Sequence, residues 1–461
     1  MSDQRISSLK QKLSASFDVS FSTFELHGRT ISLVFLSSLS SQQAINSLIQ
    51  GFTQSPQSDP LTFFNGSISK LMDEQAAITQ ILSGQCIVLF DHDEAFYSIE
   101  TRSYPTRSVH APENEKSIRG AHDAFVENII QNVGLIRRRI RDERLIVELD
   151  KEGTMTKTDL ALVYMEGIVD IDVLTDFKHR MKANQQVEIY NDRNLIEALY
   201  GKTLNPYPHV RYTERPDLCA LHLLKGSLVV LVDTIPSAIL LPTTFFEQIQ
   251  QAEEYTQTPL LAFCMRLSRY IGIFFSIYLM PLWIVLRVTQ NGTLLNIPVQ
   301  AVKPIEFGFQ ILFAELVVEW IRQSLIHAPN TLSGIMGFLV VFVLGDFGIE
   351  FGAYTKEVLI MIAIANLGNF LTPGYELSLA NKFSRICMNL LTLFFGMPGF
   401  CIGILGHFIL LMKTETIKYP YLYPLIPFSM KACGRLLFGS LIYESDTSER
   451  KEEQRAVPKK E

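Results

Sequence analysis

The sequence predicts an α/β cytoplasmic module of two lobes, followed by an all-α polytopic membrane domain. Short β-branched and aliphatic runs alternate with segments of helical periodicity in the first part of the chain, whereas long apolar runs occur only after residue 263. The predicted division is a first lobe over residues 1–105, a second lobe over 106–262, a membrane domain of four to five helices over 263–417 and a cytoplasmic tail over 418–461 with a disordered end.

Composition agrees with this division. The 461 residues have a net charge of −6 and are 48% hydrophobic. A negative net charge gives no indication of nucleic-acid binding. The first residues, MSDQRISSLKQKLSASF, lack the apolar core of a signal peptide, so the module is expected to stay in the cytoplasm. The dispersed cysteines predict inert buried thiols rather than disulfides or metal ligands: Cys86, Cys219, Cys264, Cys387, Cys401 and Cys433.

The first lobe contains two apolar strand candidates, residues 32–36 and 85–90. The second is followed by the turn DHDE and by residues 95–102, whose alternation predicts a hairpin partner. Helical spacing covers residues 41–52 and 67–82. The acidic turn with its histidine is interpreted as a solvated hairpin turn, in preference to a metal site.

A basic cluster ends the helix predicted over residues 121–141. Cations near a helix C-terminus complement its dipole, and no aromatic residues accompany these arginines as they would in a nucleic-acid site. Pairing with nearby acids or with a neighbouring subunit is the favoured interpretation. The candidates for contact between subunits are Glu127, Asn128, Arg137, Arg138 and Arg139.

The rest of the second lobe predicts βα units packed on a sheet. Its strand candidates are residues 145–149, 160–165 and 227–233, and its helix candidates are 171–182 and 194–199. It has no glycine-rich phosphate loop, no HExxH and no Ser-His-Asp arrangement, so the sequence predicts no enzyme, no cofactor and no metal site. The paired acids Glu253 and Glu254 are interpreted as part of a solvated linker helix.

Four apolar runs define the predicted membrane domain: residues 268–286, 332–344, 358–371 and 386–412. A bilayer core of about 30 Å needs roughly 20 apolar helical residues, a length that the first and last runs reach. The basic residues that flank them favour an even number of crossings with both ends in the cytoplasm. This arrangement predicts that Lys382 and Arg385 lie in an outer loop.

Between the first two runs, residues 307–326 form a helical pattern with charges on one stripe. Glu315, Glu319 and Arg322 lie at i, i+4 and i+7. Because charges are costly inside a bilayer, two interpretations remain open. The helix either lies in the membrane interface, with a Glu319–Arg322 ion pair, or faces a pore or another subunit.

Further polar and small residues continue through the short middle runs. Close helix packing is predicted from the glycines of residues 331–351, and acidic groups follow at the edge of that run. These acids either line a cation pathway or lie at the lipid headgroups. Residues 307–374 are predicted to form the pore, and the candidates here are Gly334, Gly337, Asp346, Glu350, Asn366, Asn369, Pro373 and Glu376. His407 is interpreted as a packing or interfacial residue rather than a proton relay.

Several long segments resemble a known family. GAHDAFVENIIQNVGLIRRRIR, YTERPD and LLKGSLVVLVDTIPSAILLPTTFF are similar to the spore germination receptor A-subunit family, and EEYTQTP, TPGYELSLANK and YPYLYPLIPFSMKA resemble one branch of it. The resemblance covers residues 106–435. The family usually has serine where this chain has Gly374.

This resemblance implies a homo-oligomer, pentameric in the family, that surrounds an ion-conducting pore in the inner membrane of dormant spores. It implies release of monovalent cations early in germination, contact with membrane lipid and a small membrane protein or other germination proteins as partners. The alternative is a non-conducting subunit that senses nutrients or relays a signal.

Overall fold

The computed structural model consists of two sheet-containing lobes and a helical bundle. It describes residues 2–26, 29–54, 67–91, 93–104, 112, 115, 120–255, 257–289, 293–294, 297–298, 304–327, 348–350 and 352–438.

The first lobe is a three-layer structure built on an antiparallel sheet. Its strands are β1 (Val19–Leu26), β2 (Arg29–Leu36), β3 (Ile68–Leu71), β4 (Cys86–Phe90) and β5 (Phe96–Ile99), in the order β1-β2-β4-β5-β3. Helices α1 (Ser2–Leu13) and α3 (Glu74–Leu82) cover one face, and α2 (Gln42–Gln54) covers the other. Both faces of the central strands are therefore buried, which explains their continuous apolar runs.

The predicted strands and hairpin of this lobe are present, but one predicted helix begins too early. The predicted hairpin is confirmed, because β4 and β5 pair antiparallel with Ile87 opposite Ser98. The helix predicted over residues 67–82 is too long at its start. Residues 68–71 form β3, and Asp73 then caps α3 by accepting a hydrogen bond from the Ala76 N–H.

The second lobe repeats the three-layer plan. Its strands are β6 (Leu145–Glu152), β7 (Thr158–Met165), β8 (Arg211–Thr213), β9 (Leu228–Val232) and β10 (Ala238–Leu241), in the order β6-β7-β9-β10-β8. Helices α5 (Ile171–Ala183) and α6 (Asp192–Tyr200) cover one face, and α4 (Ile129–Arg137) and α7 (Pro216–Leu224) cover the other. The strand pairs are antiparallel, so the expected βα units are present as layers but without parallel crossovers.

Helix α4 is shorter than predicted and connects the lobes. Asn128 caps its start by accepting from the Gln131 N–H, so residues 121–128 lie outside the helix. At its end, Arg137 is buried and its Nη2 lies 2.9 Å from Oδ1 of Asp18, in the first lobe. A backbone hydrogen bond from Phe17 to Val147 adds a second link.

The remaining elements form the helical bundle and its connections. They are α8 (Phe245–Ile249), a 3₁₀ turn at Ala252–Tyr255, α9 (Pro259–Thr289), β11 (Thr293–Leu294), β12 (Ile297–Pro298), α10 (Pro304–His327), α11 (Gly348–Glu350), α12 (Lys356–Phe370), α13 (Tyr375–Lys413) and α14 (Met430–Phe438). Helix α12 runs antiparallel to α9, since Gly368 lies against Gly272 and Glu357 accepts from the Trp283 indole.

Helix α13 is a hairpin of two helical arms rather than one long span. Gly396 breaks the helix with φ 62° and ψ −137°. Ser384 and His407 are 23 positions apart, which would separate them by about 35 Å in a straight helix. Both nevertheless contact the Tyr207 hydroxyl, at 3.1 and 2.7 Å. The first arm is residues 375–395 and the second arm is residues 397–413.

The chain returns to the second lobe after the second arm. Ile417 is fully buried in the core that α5, α6 and the second sheet form. Phe245 donates its backbone N–H to the Tyr421 carbonyl at 2.8 Å, which fixes the returning segment beside α8. The two ends of the bundle therefore lie on the same side, next to the lobe.

The cysteine prediction holds only in part. All six thiols are free, and Cys86 and Cys219 are buried in the lobes. Cys264 and Cys401 are instead exposed on the surface of the bundle, because their helices turn those faces outward.

Candidate functional site

A buried ion pair lies at the centre of the bundle. Arg385, on the first arm of α13, places Nε 2.8 Å from Oε1 of Glu315 on α10. Its Nη1 donates to the Ser276 carbonyl of α9 at 2.9 Å and to the Ala365 carbonyl of α12 at 3.2 Å. The arginine is inaccessible to solvent, and it joins four helical segments through one side chain.

More charges extend this pair toward the lobe side of the bundle. Lys382 lies one turn before Arg385 on the helix, with Nζ 2.8 Å from Glu319 and 4.0 Å from Glu315. Arg322 donates its Nε–H to Glu319 at 3.1 Å. The resulting charge network contains two carboxylates and three bases. We define the charge network as Glu315, Glu319, Arg322, Lys382 and Arg385.

Buried amides and a hydroxyl surround the charge network. Asn366 accepts from Arg385 at 3.3 Å and donates to the Ile362 carbonyl. Asn389, one turn beyond Arg385, is buried with neither polar side-chain atom hydrogen-bonded in the part of the chain that the structure describes. The Oδ1 of Asn369 and the Oγ1 of Thr372 are likewise without a partner among the described residues. Uncompensated polar atoms are uncommon in a helical interior and mark a functional candidate.

The structure brings together only some of the predicted pore residues. Glu315, Glu319, Arg322 and Asn366 belong to or contact the charge network. The predicted Glu319–Arg322 pair is present, but both residues also face α13, so the helix packs inside the bundle on this stripe.

The other predicted residues lie apart from this centre. Pro373 and Glu376 line a cavity of about 220 Å³ between the bundle and the second lobe, together with Asp192 and Arg211. Glu350 is exposed in the short helix α11. Gly334, Gly337 and Asp346 lie outside the described residues.

Two basic residues of the charge network were placed wrongly by sequence reasoning. Lys382 and Arg385 do not lie in an outer loop, because α13 begins at Tyr375 and carries them into the bundle. Their acidic partners precede them by more than 60 positions, on α10. Two carboxylates one helical turn apart, Glu315 and Glu319, indicate that two bases on another helix pair with them.

A second buried network joins the second lobe to the bundle. His407 lies between two tyrosines, with Nε2 2.7 Å from the Tyr207 hydroxyl and Nδ1 2.7 Å from the Tyr278 hydroxyl. A neutral imidazole donates from one nitrogen and accepts at the other, so one tyrosine donates to it and the other accepts. The interpretation of His407 as a packing residue is consistent with this geometry.

The junction between lobe and bundle contains a third buried network. Glu254 pairs with both Arg266 and Arg269 at the start of α9, and all three are nearly inaccessible. Glu254 is therefore not part of a solvated linker, because the two arginines neutralise it in the interior.

Burial lowers the pKa of His209 in the second lobe, and its neutral ring contacts the Glu415 carbonyl at 2.7 Å.

The residues predicted for subunit contact lie around α4. Glu127 and Arg138 are exposed, and Arg138 also stacks on the Tyr104 ring at 5.1 Å. Arg139 pairs with Asp123 at 2.5 Å, and Asn128 is the α4 cap. Arg137 is buried against Asp18 of the same chain, so its side chain is engaged internally. A contact with another subunit stays a prediction for all five.

These features define a class of protein: two antiparallel sheet lobes joined to a helical bundle with internal charge pairs. Two described segments are long and apolar enough to cross a membrane, namely helix Pro259–Arg287 and the two-armed segment Tyr375–Lys413. The chain belongs to the Bacillus/Clostridium GerA spore germination protein family, whose profile matches residues 7–450. The family resemblance seen in the sequence is therefore confirmed.

Individual relatives cover most of the chain. Stage V sporulation protein AF of Bacillus subtilis (strain 168) is 39% identical over 379 residues, which span 81% of this chain and 76% of that protein. Spore germination protein A1 of the same organism is 28% identical over 360 residues, or 77% and 75% of the two chains. Spore germination protein KA is 26% identical over 367 residues, or 78% and 67%.

One solved structure is also similar. It is the crystal structure of the N-terminal domain of the A subunit of the Bacillus megaterium spore germinant receptor GerK3. The TM-score is 0.39 at 24% sequence identity, and the match covers 52% of this chain and 94% of that one.

Proposed function

We propose that the protein is a subunit of an oligomeric ion channel in the inner membrane of the spore, and that this channel releases monovalent cations during germination. Membership of the spore germination family supports the role in germination. The charge network inside the bundle carries the ion-channel part of the proposal.

Charged side chains are costly inside a bilayer. A charged side chain at membrane depth costs about 3 to 10 kcal/mol, so such groups pair inside the protein and frequently mark ion pathways. Five charged side chains face one another here within helices whose outer faces expose apolar residues such as Phe275, Phe394 and Phe408. Anchoring alone requires none of these charges, which favours a transport role.

The course of the chain supports a multi-pass arrangement. Helix α9 leaves the lobe, α12 runs antiparallel to it, and the two arms of α13 leave and return. Both ends of the bundle then face the compartment that holds the lobes, which we propose to be the cytoplasm. Membrane lipid would contact the exposed apolar faces.

The proposed assembly is a homo-oligomer, pentameric as in the resembling family, with a small membrane protein or other germination proteins as partners. Exposed Glu127 and Arg138 on the α4 side support a polar contact between copies. We retain Asn128 and Arg139 as neighbouring candidates.

A flux measurement tests the channel. The purified full chain is reconstituted into K⁺-loaded liposomes, alone and with a candidate membrane partner, and K⁺ efflux is compared with protein-free liposomes. We expect efflux above that background. Background efflux in both preparations, with correctly inserted protein, would contradict the proposal.

The predicted acidic pore residues have their own test. We expect Asp346→Asn and Glu350→Gln to slow cation release from spores severalfold, because a carboxylate near a pore concentrates cations. Glu197→Gln, a change at an exposed ion pair of the second lobe, is the matched control and should leave release unchanged. Normal release from both variants, at normal protein amounts, would remove the two acids from the pathway.

The alternative is a non-conducting subunit that senses nutrients or relays a signal. The buried Glu254–Arg266–Arg269 junction favours it, since these ion pairs connect the end of the lobe to the start of α9. The two functions differ in the liposome experiment, where a relay subunit gives no efflux. If this protein is a relay subunit, its deletion from spores would still block the germination response of its partner protein.

A further inference from the structure

We infer that Tyr207 is the residue through which the second lobe holds the α13 hairpin in place, and that it thereby positions the proposed conduction pathway. The inference rests on the proposed function and specifies how the soluble module would control it. Tyr207 belongs to the segment between α6 and β8, yet its side chain is buried inside the helical bundle.

The ring of Tyr207 packs in an apolar cluster that belongs to the bundle. The cluster includes Ile273 and Ile277 of α9, Leu377 of the first arm and Leu411 of the second arm. A residue of the lobe thus occupies the space where α9 and both arms of α13 meet. Interiors are close-packed, so the ring cannot shift without displacing these helices.

The hydroxyl of Tyr207 connects the two arms to each other. It lies 3.1 Å from Ser384 Oγ and 3.3 Å from Asn381 Oδ1 on the first arm, and 2.7 Å from His407 Nε2 on the second arm. The arms are joined covalently only at Gly396, whose φ of 62° makes a turn that glycine adopts readily. The hydroxyl therefore links the two arms at positions 384 and 407, about three helical turns from Gly396.

The first arm also carries two of the three bases of the charge network, Lys382 and Arg385. Ser384 is the direct neighbour of Arg385, and Asn381 is the direct neighbour of Lys382. A displacement of the first arm at Tyr207 would move both bases relative to Glu315 and Glu319 on α10. Tyr207 is thus linked to Lys382 through Asn381 and to Arg385 through Ser384.

The segment that carries Tyr207 is fixed to the lobe and to the returning chain. Gln248 Nε2 donates to the Pro208 carbonyl at 3.1 Å, and the Tyr207 N–H donates to the Asn205 side chain at 3.1 Å. Asn205 Nδ2 donates to Thr414 Oγ1 at 2.8 Å, just beyond the second arm. Any movement of the lobe relative to the bundle is therefore transmitted to the tyrosine.

Tyr207→Phe tests the inference because it keeps the ring and removes only the hydroxyl. Loss of a buried hydrogen bond shifts a local opening equilibrium by roughly two- to tenfold. We expect amide hydrogen exchange in residues 404–411 to rise by such a factor, with β9 unchanged. In K⁺-loaded liposomes, unstimulated efflux should rise at least threefold, because one hydrogen-bonded link between the arms is lost.

Tyr164→Phe is the matched control. Tyr164 is buried in the second lobe, and its hydroxyl donates to Glu148 of the same lobe at 2.6 Å. This variant should stay within twofold of the wild type in exchange and efflux. Circular dichroism and gel filtration verify that both variants fold.

Two results would overturn the inference. One is exchange in residues 404–411 that stays within twofold of the wild type in Tyr207→Phe. The other is unchanged efflux from this variant when the wild type conducts. If the wild type does not conduct at all, the proposed channel function fails, whereas the exchange experiment still decides whether Tyr207 holds the arms.

Discussion

Buried arginines act as cross-links between distant parts of this chain. Arg137, Arg215 and Arg385 are among its largest fully buried side chains. Arg137 pairs with Asp18 of the first lobe, Arg215 donates to the Ala121 carbonyl, and Arg385 reaches α9, α10 and α12. A guanidinium presents five donors in a fixed plane, which suits contacts with several segments at once. Helical spacing placed Glu315 on a charged stripe, but no local pattern could identify a partner 70 positions later.

The Arg385–Glu315 pair should be costly to break. Arg385→Met removes one partner of a buried pair, and we expect a loss of about 3 to 5 kcal/mol in the free energy of unfolding, measured in detergent. The control is Arg144→Met, which breaks an exposed pair with Asp142 and should cost at most about 1 kcal/mol.

A double variant separates charge from packing. Glu315→Leu combined with Arg385→Met removes both charges, and we expect it to be more stable than Arg385→Met alone because no orphaned carboxylate remains opposite position 385. Equal stability of the single variant and the wild type would mean that the pair contributes nothing to the fold.

Individual elements were predicted best where they are buried on both faces. The apolar runs of β4, β7 and β9 indicated strands correctly, since they lie in the middle of three-layer lobes. The β3 strand was missed because its four residues, ISKL, alternate poorly and are partly exposed. Residues 386–412 have the length of one span, and hydropathy alone cannot distinguish a single span from the hairpin that the structure contains.

The α13 hairpin depends on the backbone at Gly396. Gly396→Ala places a Cβ at φ 62° and ψ −137°, which costs about 1 to 3 kcal/mol for a residue other than glycine. Gly406→Ala is the control, because position 406 is helical, nothing lies within 4 Å of its added methyl group, and alanine favours a helix by roughly 0.5 to 1 kcal/mol. The two variants should shift the thermal unfolding temperature in opposite directions. A shift in the same direction would show that the turn is not strained by a side chain.

Buried side chains connect the large parts of the molecule. The Asp18–Arg137 pair joins the lobes, Glu254 joins the second lobe to α9, and Tyr207 extends into the bundle. The sequence predicted the parts themselves, because periodicity reports local burial. It did not predict these connections, because Asp18 and Tyr207 lie outside the helices and strands and Glu254 lies in a single 3₁₀ turn, too short for a periodic pattern.

The connection between the lobes can be tested at Asp18. Asp18→Asn leaves Arg137 buried without its countercharge, at an expected cost of about 3 to 5 kcal/mol. Amide protection should fall in β2 and β4 of the first lobe, while β9 of the second lobe keeps its protection. The control is Asp142→Asn, which affects only an exposed pair. Unchanged protection in β2 would show that the lobes are stable without this contact.

The buried Ile417 has a consequence for the order in which the molecule is made. A ribosome produces the strands of the second lobe long before residue 417, since α9 to α13 lie between the last of these strands and Ile417 in the sequence. The side chain that completes the lobe's core is therefore added only after the last helix of the bundle has been synthesised. The lobe keeps an open apolar site until α9 to α13 have left the ribosome, so the bundle is synthesised before the core of the lobe is complete.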